Sequence, residues 1–390
     1  MRLSGTYVKE RVSIIIPCWN SGKWVEKCFS SIRQQTYKDM ELIVVDNAST
    51  DRSKEIIRAS FPDLKPKIIE NPANFGFAKA MNQGITASKG EFIFALNMDV
   101  ELEPNYITEL MKAFDDPKVG SATGKLYRPP EMFEGKRVID TTGHVFLASR
   151  SIYNRGALEE DHGQYDDKKE LFGVCAAAAL YRRAMLEDVK MGNEYFDEDY
   201  FAYYEDVDLD WRAINAGWKS VFVPEAVGYH AKRASGRNAD KEMAINSNRN
   251  KYLTILKNDT LINYAMDLPV ILASGLNYLL YSHFKDYQVF FMSMIKKLVS
   301  TPKALLKRFR LMKKKKIAPL AFRKYVMYDK KDYIKIRDLL FSIIAVIFAA
   351  FFIKFKYLLV LFIAVFFVIN PAIYHVNQQL QKSSRKSVQL

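Results

Sequence analysis

The chain has 390 residues, of which 49% are hydrophobic, so it is long enough for more than one domain and too apolar to be disordered. Its charge is unevenly divided. Residues 241–390 contain 26 Lys and Arg against 7 Asp and Glu, whereas the first 240 residues contain 32 against 37. The 3 cysteines lack metal-site or disulfide spacing, which excludes a disulfide framework and favours free thiols. A basic, apolar tail after an acidic domain favours a membrane over nucleic acid as the partner.

The first hundred residues alternate short apolar runs with amphipathic segments. The apolar runs predict strands at residues 12–16, 42–45, 68–69 and 91–96. The segments between them predict helices over residues 22–35, 47–59 and 75–88. Because strands that alternate with helices form βαβ units, the sequence predicts an α/β domain with a Rossmann-like, mostly parallel sheet flanked by helices.

Polar or acidic side chains follow three of the predicted strands. These are Asn20, Asp46 and Asp99, and Pro17 closes the first strand just before Asn20. In open α/β sheets, ligands bind beyond the carboxyl ends of the strands. We therefore expect the three side chains to converge on one crevice.

The pattern is less regular beyond residue 100. Residues 128–170 are polar and predict loops and small strands over the sheet edge, and residues 219–223 predict a strand that ends at Pro224. Two adjacent acids, Glu205 and Asp206, open a further acidic cluster. The globular domain is expected to end near residue 260.

The tail combines a basic amphipathic segment with uncharged runs. Residues 295–316 carry ten Lys and Arg interleaved with apolar side chains, which is typical of helices that lie on anionic lipid. The uncharged runs cover residues 268–284, 339–353 and 357–369. Each is shorter than the roughly 20 apolar residues that span a bilayer. Basic residues flank the last two runs, so we expect them to form a membrane-inserted helical hairpin, with a buried pair of core helices as the alternative.

These patterns predict three regions. Residues 1–260 form the α/β domain, residues 261–338 a basic amphipathic helical region on the membrane, and residues 339–390 the hairpin with a polar tail. Because residues 1–13 have no apolar signal core, we expect the first domain at the cytoplasmic face of the cell membrane.

Four segments, in this order, resemble the family 2 glycosyltransferases, which have the GT-A fold. SIIIPCWN (residues 13–20) resembles the opening strand of the family, and VVDNASTD (residues 44–51) resembles its nucleotide loop. NFGFAKAMNQGI (residues 74–85) and FDEDYFAYYEDVDLDWRAINAGWKSVFVPEAVGYH (residues 196–230) resemble the rhamnosyltransferase-like branch. The resemblance covers about residues 10–260 and implies a nucleotide-sugar donor.

The resemblance also implies residues that hold the donor. The donor-binding set is Pro17, Asn20, Asp46, Asn74, Gly76, Asn97, Asp99, Arg233 and Arg237. Asp46 would hold the nucleobase or ribose, and a helix-capping role is its alternative. Arg233 and Arg237 would close over the diphosphate, unless they are solvated surface charges.

The family's D-x-D motif, whose last Asp binds Mg²⁺ or Mn²⁺, stands here as Asn97-Met98-Asp99. Asn97 supplies an amide in place of the first carboxylate, so Asp99 would be the main acidic metal ligand. The resemblance implies that His230 completes the metal shell. A purely structural histidine is the alternative.

The same resemblance implies that Asp206, beside Glu205, is the general base of an inverting transfer. An acid-rich helix N-terminus is the structural alternative. The implied reaction moves a sugar such as rhamnose from a dTDP- or UDP-sugar to a polyprenyl-linked or cell-envelope glycan. Two other hypotheses are an inactive membrane-associated glycan-binding scaffold and a processive polysaccharide synthase, for which the Q-x-x-R-W motif is missing.

Overall fold

The computed structural model describes residues 7–232, 240–275 and 287–329. Several predicted features lie outside these described residues. They are Arg233, Arg237, the end of the first uncharged run and both runs of the expected hairpin.

The described residues form strands and helices that follow the predicted alternation in the first hundred residues. The strands are β1 (Val8–Cys18), β2 (Met40–Asp46), β3 (Lys67–Glu70), β4 (Gly90–Leu96), β5 (Val100–Leu102), β6 (Val119–Tyr127), β7 (Ile139–Thr141), β8 (His144–Leu147), β9 (Ile152–Asn154), β10 (Glu170–Leu171), β11 (Ala178–Arg182), β12 (Lys219–His230) and β13 (Val326–Met327). The helices are α1 (Gly22–Arg33), α2 (Ser53–Ser60), α3 (Gly76–Ala87), α4 (Tyr106–Lys112), α5 (Arg183–Val189), α6 (Glu205–Asn215), α7 (Asp240–Asn258), α8 (Leu261–Met266) and α9 (Tyr287–Lys314).

The main sheet has the strand order β10-β12-β6-β11-β4-β1-β2-β3, with β5 and β7 attached to β12 and β6. Strands β4, β1, β2 and β3 are parallel to one another, as the βαβ pattern predicts. Strand β11 runs antiparallel to both of its neighbours, β4 and β6, and β5, β7 and β10 also pair antiparallel. The prediction of a mostly parallel sheet is therefore wrong in its second half, and the fold is an α/β domain with a mixed sheet.

The centre of the sheet is covered on both faces. Alternate residues of β1 point to opposite sides: Ile14 and Ile16 pack with Phe29 of α1, whereas Ile15 packs with Met81 of α3. All five side chains are essentially inaccessible to solvent. A strand buried on both faces reads as a continuous apolar run, which is why the sequence predicted β1 so clearly.

Strand β12 is longer than predicted. It continues through Pro224 to His230, and its register with β6 shifts between Phe222 and Val227. A proline cannot donate to the hydrogen-bond ladder, so it is tolerated where the ladder is interrupted. The prediction that the strand ends at Pro224 is therefore wrong, and the extension carries His230 to the functional edge of the sheet.

The helices after residue 240 pack on the α/β domain. Residues Met1–Asp329 form one compact unit, and Lys330–Leu390 form a second, which lies outside the described residues. Phe322 stacks on Trp211 of α6 with ring centroids 5.4 Å apart, and β13 pairs with β8. The division near residue 260 stays a prediction, as does the membrane hairpin.

Helix α9 has an unusual orientation, because its apolar side faces outward. The buried positions of this helix include Ser293 and Ala304, whereas an outer stripe at helical spacing is exposed to solvent. We define the outer stripe as Phe291, Ile295, Leu298, Leu305 and Phe309. Among the described residues, no helix combines the length and apolarity that crossing a bilayer requires.

Candidate active site

The first wall of the site lies at the carboxyl ends of β1 and β2. Cys18, the last residue of β1, pairs with Asp46, the last residue of β2. The hydroxyl of Ser49 accepts a hydrogen bond from the Asn20 backbone N–H at 3.0 Å, and the Ser49 N–H donates to Asp46 at 3.1 Å. The structure therefore brings Asn20 and Asp46 together, with Pro17 in the same strand end.

The carboxylate of Asp46 is buried and already has partners. Besides the Ser49 N–H, the Nζ atom of Lys54 lies 3.7 Å from its Oδ2 atom. The Asn20 side chain accepts a hydrogen bond from the Thr50 N–H at 2.8 Å. These contacts hold the loop between β2 and α2, but α2 begins at Ser53 without a side-chain cap, so Asp46 does not cap this helix. The role of Asp46 toward a nucleotide stays a prediction.

The turn into α3 places Asn74 and Gly76 against the acidic segment. The Asn74 side chain accepts a hydrogen bond from the Gly76 N–H at 2.9 Å. Gly76 has a φ of +84°, and a Cβ atom there would lie 2.4 Å from the carbonyl oxygen of Phe201. Glycine is required by both the backbone conformation and the close approach. The two residues therefore connect the donor side of the site to the loop before Asp206.

Asp99 and His230 meet at the end of β4 and β12. Asp99 follows β4 in a turn closed by the Val100 N–H, which donates to the Asn97 carbonyl at 3.2 Å. The Oδ1 atom of Asp99 lies 3.4 Å from Nε2 of His230, and both side chains are buried. The structure thus brings together the two predicted metal ligands, which are separated by 131 positions in the chain.

The other ring nitrogen of His230 has a carboxylate partner. Nδ1 of His230 hydrogen-bonds with Oδ2 of Asp140 at 2.8 Å. Lys232 and Arg128 both lie within ion-pair distance of Asp140, at 3.3 and 3.4 Å. Burial opposes the charged form of His230, but Asp140 and Asp99 outweigh it and raise the pKa of His230 to about 9. Asp140 lies in the irregular middle segment, where no sequence pattern marked it.

A cavity of about 230 Å³ opens beside this pair. It lies between α1, the turn at Asp99 and the residues before the 3₁₀ turn at Pro130–Met132. The side chains that line it include Trp24, Lys27, Asp99, Glu101 and Tyr229. Glu131 also lines it, so the cavity offers one cation, three carboxylates and two aromatic surfaces to a ligand.

Asp206, the predicted base, is linked to the Asn97–Asp99 turn by hydrogen bonds to two adjacent residues, Ala176 and Ala177. The Asn97 N–H donates to the carbonyl of Ala177 at 2.8 Å, and the Ala176 N–H donates to Oδ2 of Asp206 at 3.2 Å. Asp206 is the second residue of α6, and Glu205 beside it is buried. Burial, together with the charge of Asp206, raises the pKa of Glu205 well above its usual value. The acidic ends of β4 and α6 therefore face the same region.

A buried histidine that the sequence did not single out lies behind Asp206. Nε2 of His144 lies 3.8 Å from Oδ2 of Asp206, and its Nδ1 lies 3.3 Å from Oδ2 of Asp210. Donor atoms of His144, Cys175 and Asp206 lie within 4.8 Å of one another. Asp210 is one helical turn beyond Asp206 on the same helix face, which was a usable signal, whereas nothing in the sequence pattern marked His144.

The mixed α/β sheet gathers these acids at the carboxyl ends of its strands, where ligands bind in open α/β sheets. Residues 13–190 match the model of glycosyl transferase family 2. This match confirms, over residues 13–190, the resemblance to family 2 glycosyltransferases that the four sequence segments indicated.

Two curated relatives and one solved structure extend the comparison. The chain is 32% identical over 198 residues to glycosyltransferase GlyG of Streptococcus pneumoniae, a match that spans 49% of this chain and 64% of the relative. It is 26% identical over 262 residues to N-acetylglucosaminyl-diphospho-decaprenol L-rhamnosyltransferase of Mycobacterium tuberculosis, spanning 59% of this chain and 80% of the relative. The structure of GalNAc-T7 with UDP, GalNAc and Mn²⁺ aligns with a TM-score of 0.51 and 14% identity, covering 68% of this chain and 50% of that chain. This last likeness concerns the fold alone.

Proposed function

We propose that this protein is an inverting glycosyltransferase. It moves a sugar, with rhamnose as the first candidate, from a dTDP- or UDP-sugar to a polyprenyl-linked or cell-envelope glycan. One observation carries the proposal: the Asn97–Ala177 and Ala176–Asp206 hydrogen bonds tie the Asp99–His230 pair and Asp206 to one segment of the sheet edge. The rhamnosyltransferase from Mycobacterium tuberculosis supports the choice of sugar and of a lipid-linked acceptor.

Asp206 acts in this proposal as the general base. Its carboxylate takes the proton of an acceptor hydroxyl while the oxygen of that hydroxyl bonds to the anomeric carbon of the donor sugar. The bond from that carbon to the diphosphate breaks, and its electron pair leaves with the diphosphate. A single base without a carboxylate nucleophile gives inversion at the anomeric carbon.

Asp99 and His230 would hold a divalent cation, Mg²⁺ or Mn²⁺, which would displace the proton that Asp140 and Asp99 favour on His230. The fit rests on the 3.4 Å between Oδ1 of Asp99 and Nε2 of His230, which is about the spacing of two ligands on one cation. It rests also on Asp140, because a metal-binding histidine usually bonds its second nitrogen to a carboxylate. Such a cation supplies charge stabilisation to the leaving diphosphate.

Transfer by purified full-length protein with a panel of dTDP- and UDP-sugars tests the activity. Asp206→Asn should abolish transfer and leave donor binding intact, while the matched control Asp116→Asn, at an exposed acid far along the sheet, should keep both. Transfer by Asp206→Asn at the unmodified rate would reject Asp206 as the base. Absence of transfer with every donor and acceptor tried, despite donor binding, would favour the glycan-binding scaffold.

Membrane association at the cytoplasmic face is the second part of the proposal. The outer stripe of α9 is exposed, with Leu298 at 70% and Phe309 at 68%, and the helix carries basic residues beside it, such as Lys303 and Arg310. Apolar side chains with flanking cations suit an anionic bilayer surface. The expected hairpin at residues 339–369 would add a deeper anchor.

Hydrogen exchange of α9 tests the membrane contact in the full chain. Vesicles that contain phosphatidylglycerol should protect α9 from exchange in the unmodified protein, and Leu298→Glu with Phe309→Glu should remove that protection. Leu158→Glu, at an exposed leucine of another surface, is the matched control. Equal protection in the unmodified and doubly substituted proteins would show that the outer stripe does not meet lipid.

A further inference from the structure

His144 is a buried side chain between two carboxylates. It is the first residue of β8, and 6% of its surface is exposed. Its Nε2 atom faces Oδ2 of Asp206 at 3.8 Å, and its Nδ1 atom faces Oδ2 of Asp210 at 3.3 Å. The imidazole therefore bridges the proposed base and a second acid that lies deeper in the protein.

The deeper acid is fixed from two sides. Oδ2 of Asp210 accepts a hydrogen bond from the Val174 N–H at 2.9 Å, and the His144 N–H donates to the Gly173 carbonyl at 2.8 Å. A Cβ atom at Gly173 would lie 2.0 Å from Oδ2 of Asp210. Any side chain at position 173 would therefore clash with this carboxylate. The local backbone is thus shaped to hold the Asp210–His144 contact.

The charges around His144 favour its protonated form. The titratable groups that interact with it come from α6 and from the segment before β11: Glu205, Asp206, Asp210 and Cys175. Burial opposes a charged imidazole, but the carboxylates of Asp206 and Asp210 outweigh it and raise the pKa of His144 well above its usual value. A buried pair of acids is costly without a cation between them.

We propose that His144, held by Asp210, is a positioning residue that keeps the carboxylate of Asp206 ionised and oriented toward the acceptor. The inference rests on the proposed role of Asp206 as base. In the transfer step, the acceptor proton passes to Asp206, which becomes neutral, while the hydrogen bond between His144 and Asp210 stays in place. The arrangement lowers the free-energy penalty for keeping a carboxylate ionised in a largely buried site.

The test is the pH dependence of kcat/KM in full-length protein with the substitution His144→Gln. An opposite charge at this distance favours the ionised form of a carboxylate, so its loss should disfavour that form. The acid limb of the kcat/KM profile should therefore move upward by at least about one pH unit, and activity should recover as pH rises. The KM for the donor should stay within about twofold, because His144 does not line the donor side. His144→Asn, which also removes the cation, should shift the same limb in the same direction and serves as the second variant if His144→Gln does not fold.

The outcomes separate this inference from the proposed function. If both variants bind donor but lose activity equally at every pH, His144 has only a structural role and the inference fails. Full activity of Asp206→Asn would instead overturn the proposed base and the inference with it. An acid limb that moves in the two His144 variants, and not in the control Asp116→Asn, supports the positioning role.

Discussion

Lys257→Met should cost the protein a large part of its stability. Lys257 lies in α7 with 1% of its side chain exposed, and its ammonium group pairs with Asp197 and with Asp208, the latter at 2.9 Å. Both carboxylates are also buried, at 2% and 0% exposure. Removing one partner from a buried ion pair leaves charge uncompensated and costs about 3–5 kcal/mol. Lys307 and Arg212 still contact these acids, which places the expected loss near the lower end, at about 3 kcal/mol.

Lys303→Met is the matched control, because it removes the same cation from an exposed pair. Lys303 pairs with Asp199, but 62% of its side chain is exposed. Exposed pairs contribute about 0–1 kcal/mol. Urea denaturation of the full-length protein in mild detergent, followed by fluorescence of the buried Trp211, measures both variants. A loss in Lys257→Met no greater than that in Lys303→Met would refute the argument that burial makes this cluster expensive to break.

Three further predictions concern the site and its supports. Asp99→Ala should weaken binding of the donor when Mn²⁺ is present and change it little in chelator, as titration calorimetry would show; equal weakening in both conditions would remove the metal role. Gly76→Ala should lower the unfolding free energy by about 1–3 kcal/mol, because alanine at a φ of +84° is strained and its Cβ meets Phe201; an unchanged urea midpoint would contradict this. The lysines around Asp197 overcome its burial and lower its pKa, so the stability it contributes is complete above its unfolded-state pKa of about 3.9 and is lost as the pH falls below that value. Asp197→Asn should therefore reduce the slope of unfolding free energy against pH below about pH 4, and an unchanged slope would count against it.

The sequence predicted the parallel half of the fold because the signals there are local. An apolar run such as Ile14–Ile16, rich in β-branched residues, is typical of a strand buried on both faces, and the polar residue after it marks the edge where ligands bind. The position of β11 was not predictable in the same way. Ala178 of β11 pairs with Leu96, 82 positions away, and four small or apolar residues followed by Arg182 carry no signal for strand direction.

The site residues also divide into those that local sequence signals marked and those that they did not. Asp99, His230 and Asp206 belong to recognisable segments, and the structure places them at one edge. Asp140 and His144 come from the irregular segment, and their partners His230 and Asp210 are 90 and 66 positions away. Contacts at such separation depend on the finished sheet, so neither side chain could be assigned from spacing alone.

The rotation of α9 about its own axis follows from charge and not from hydrophobicity. Lys307 reaches Asp197 at 2.5 Å and Asp199 at 2.8 Å, and these contacts turn the outer stripe away from the protein. In water this leaves several large apolar side chains exposed to solvent. Full burial of each one would be favourable by about 1.5–3 kcal/mol of free energy. The purified protein without lipid or detergent should therefore self-associate through this helix. Adding a lipid or detergent that covers the outer stripe should reduce this self-association.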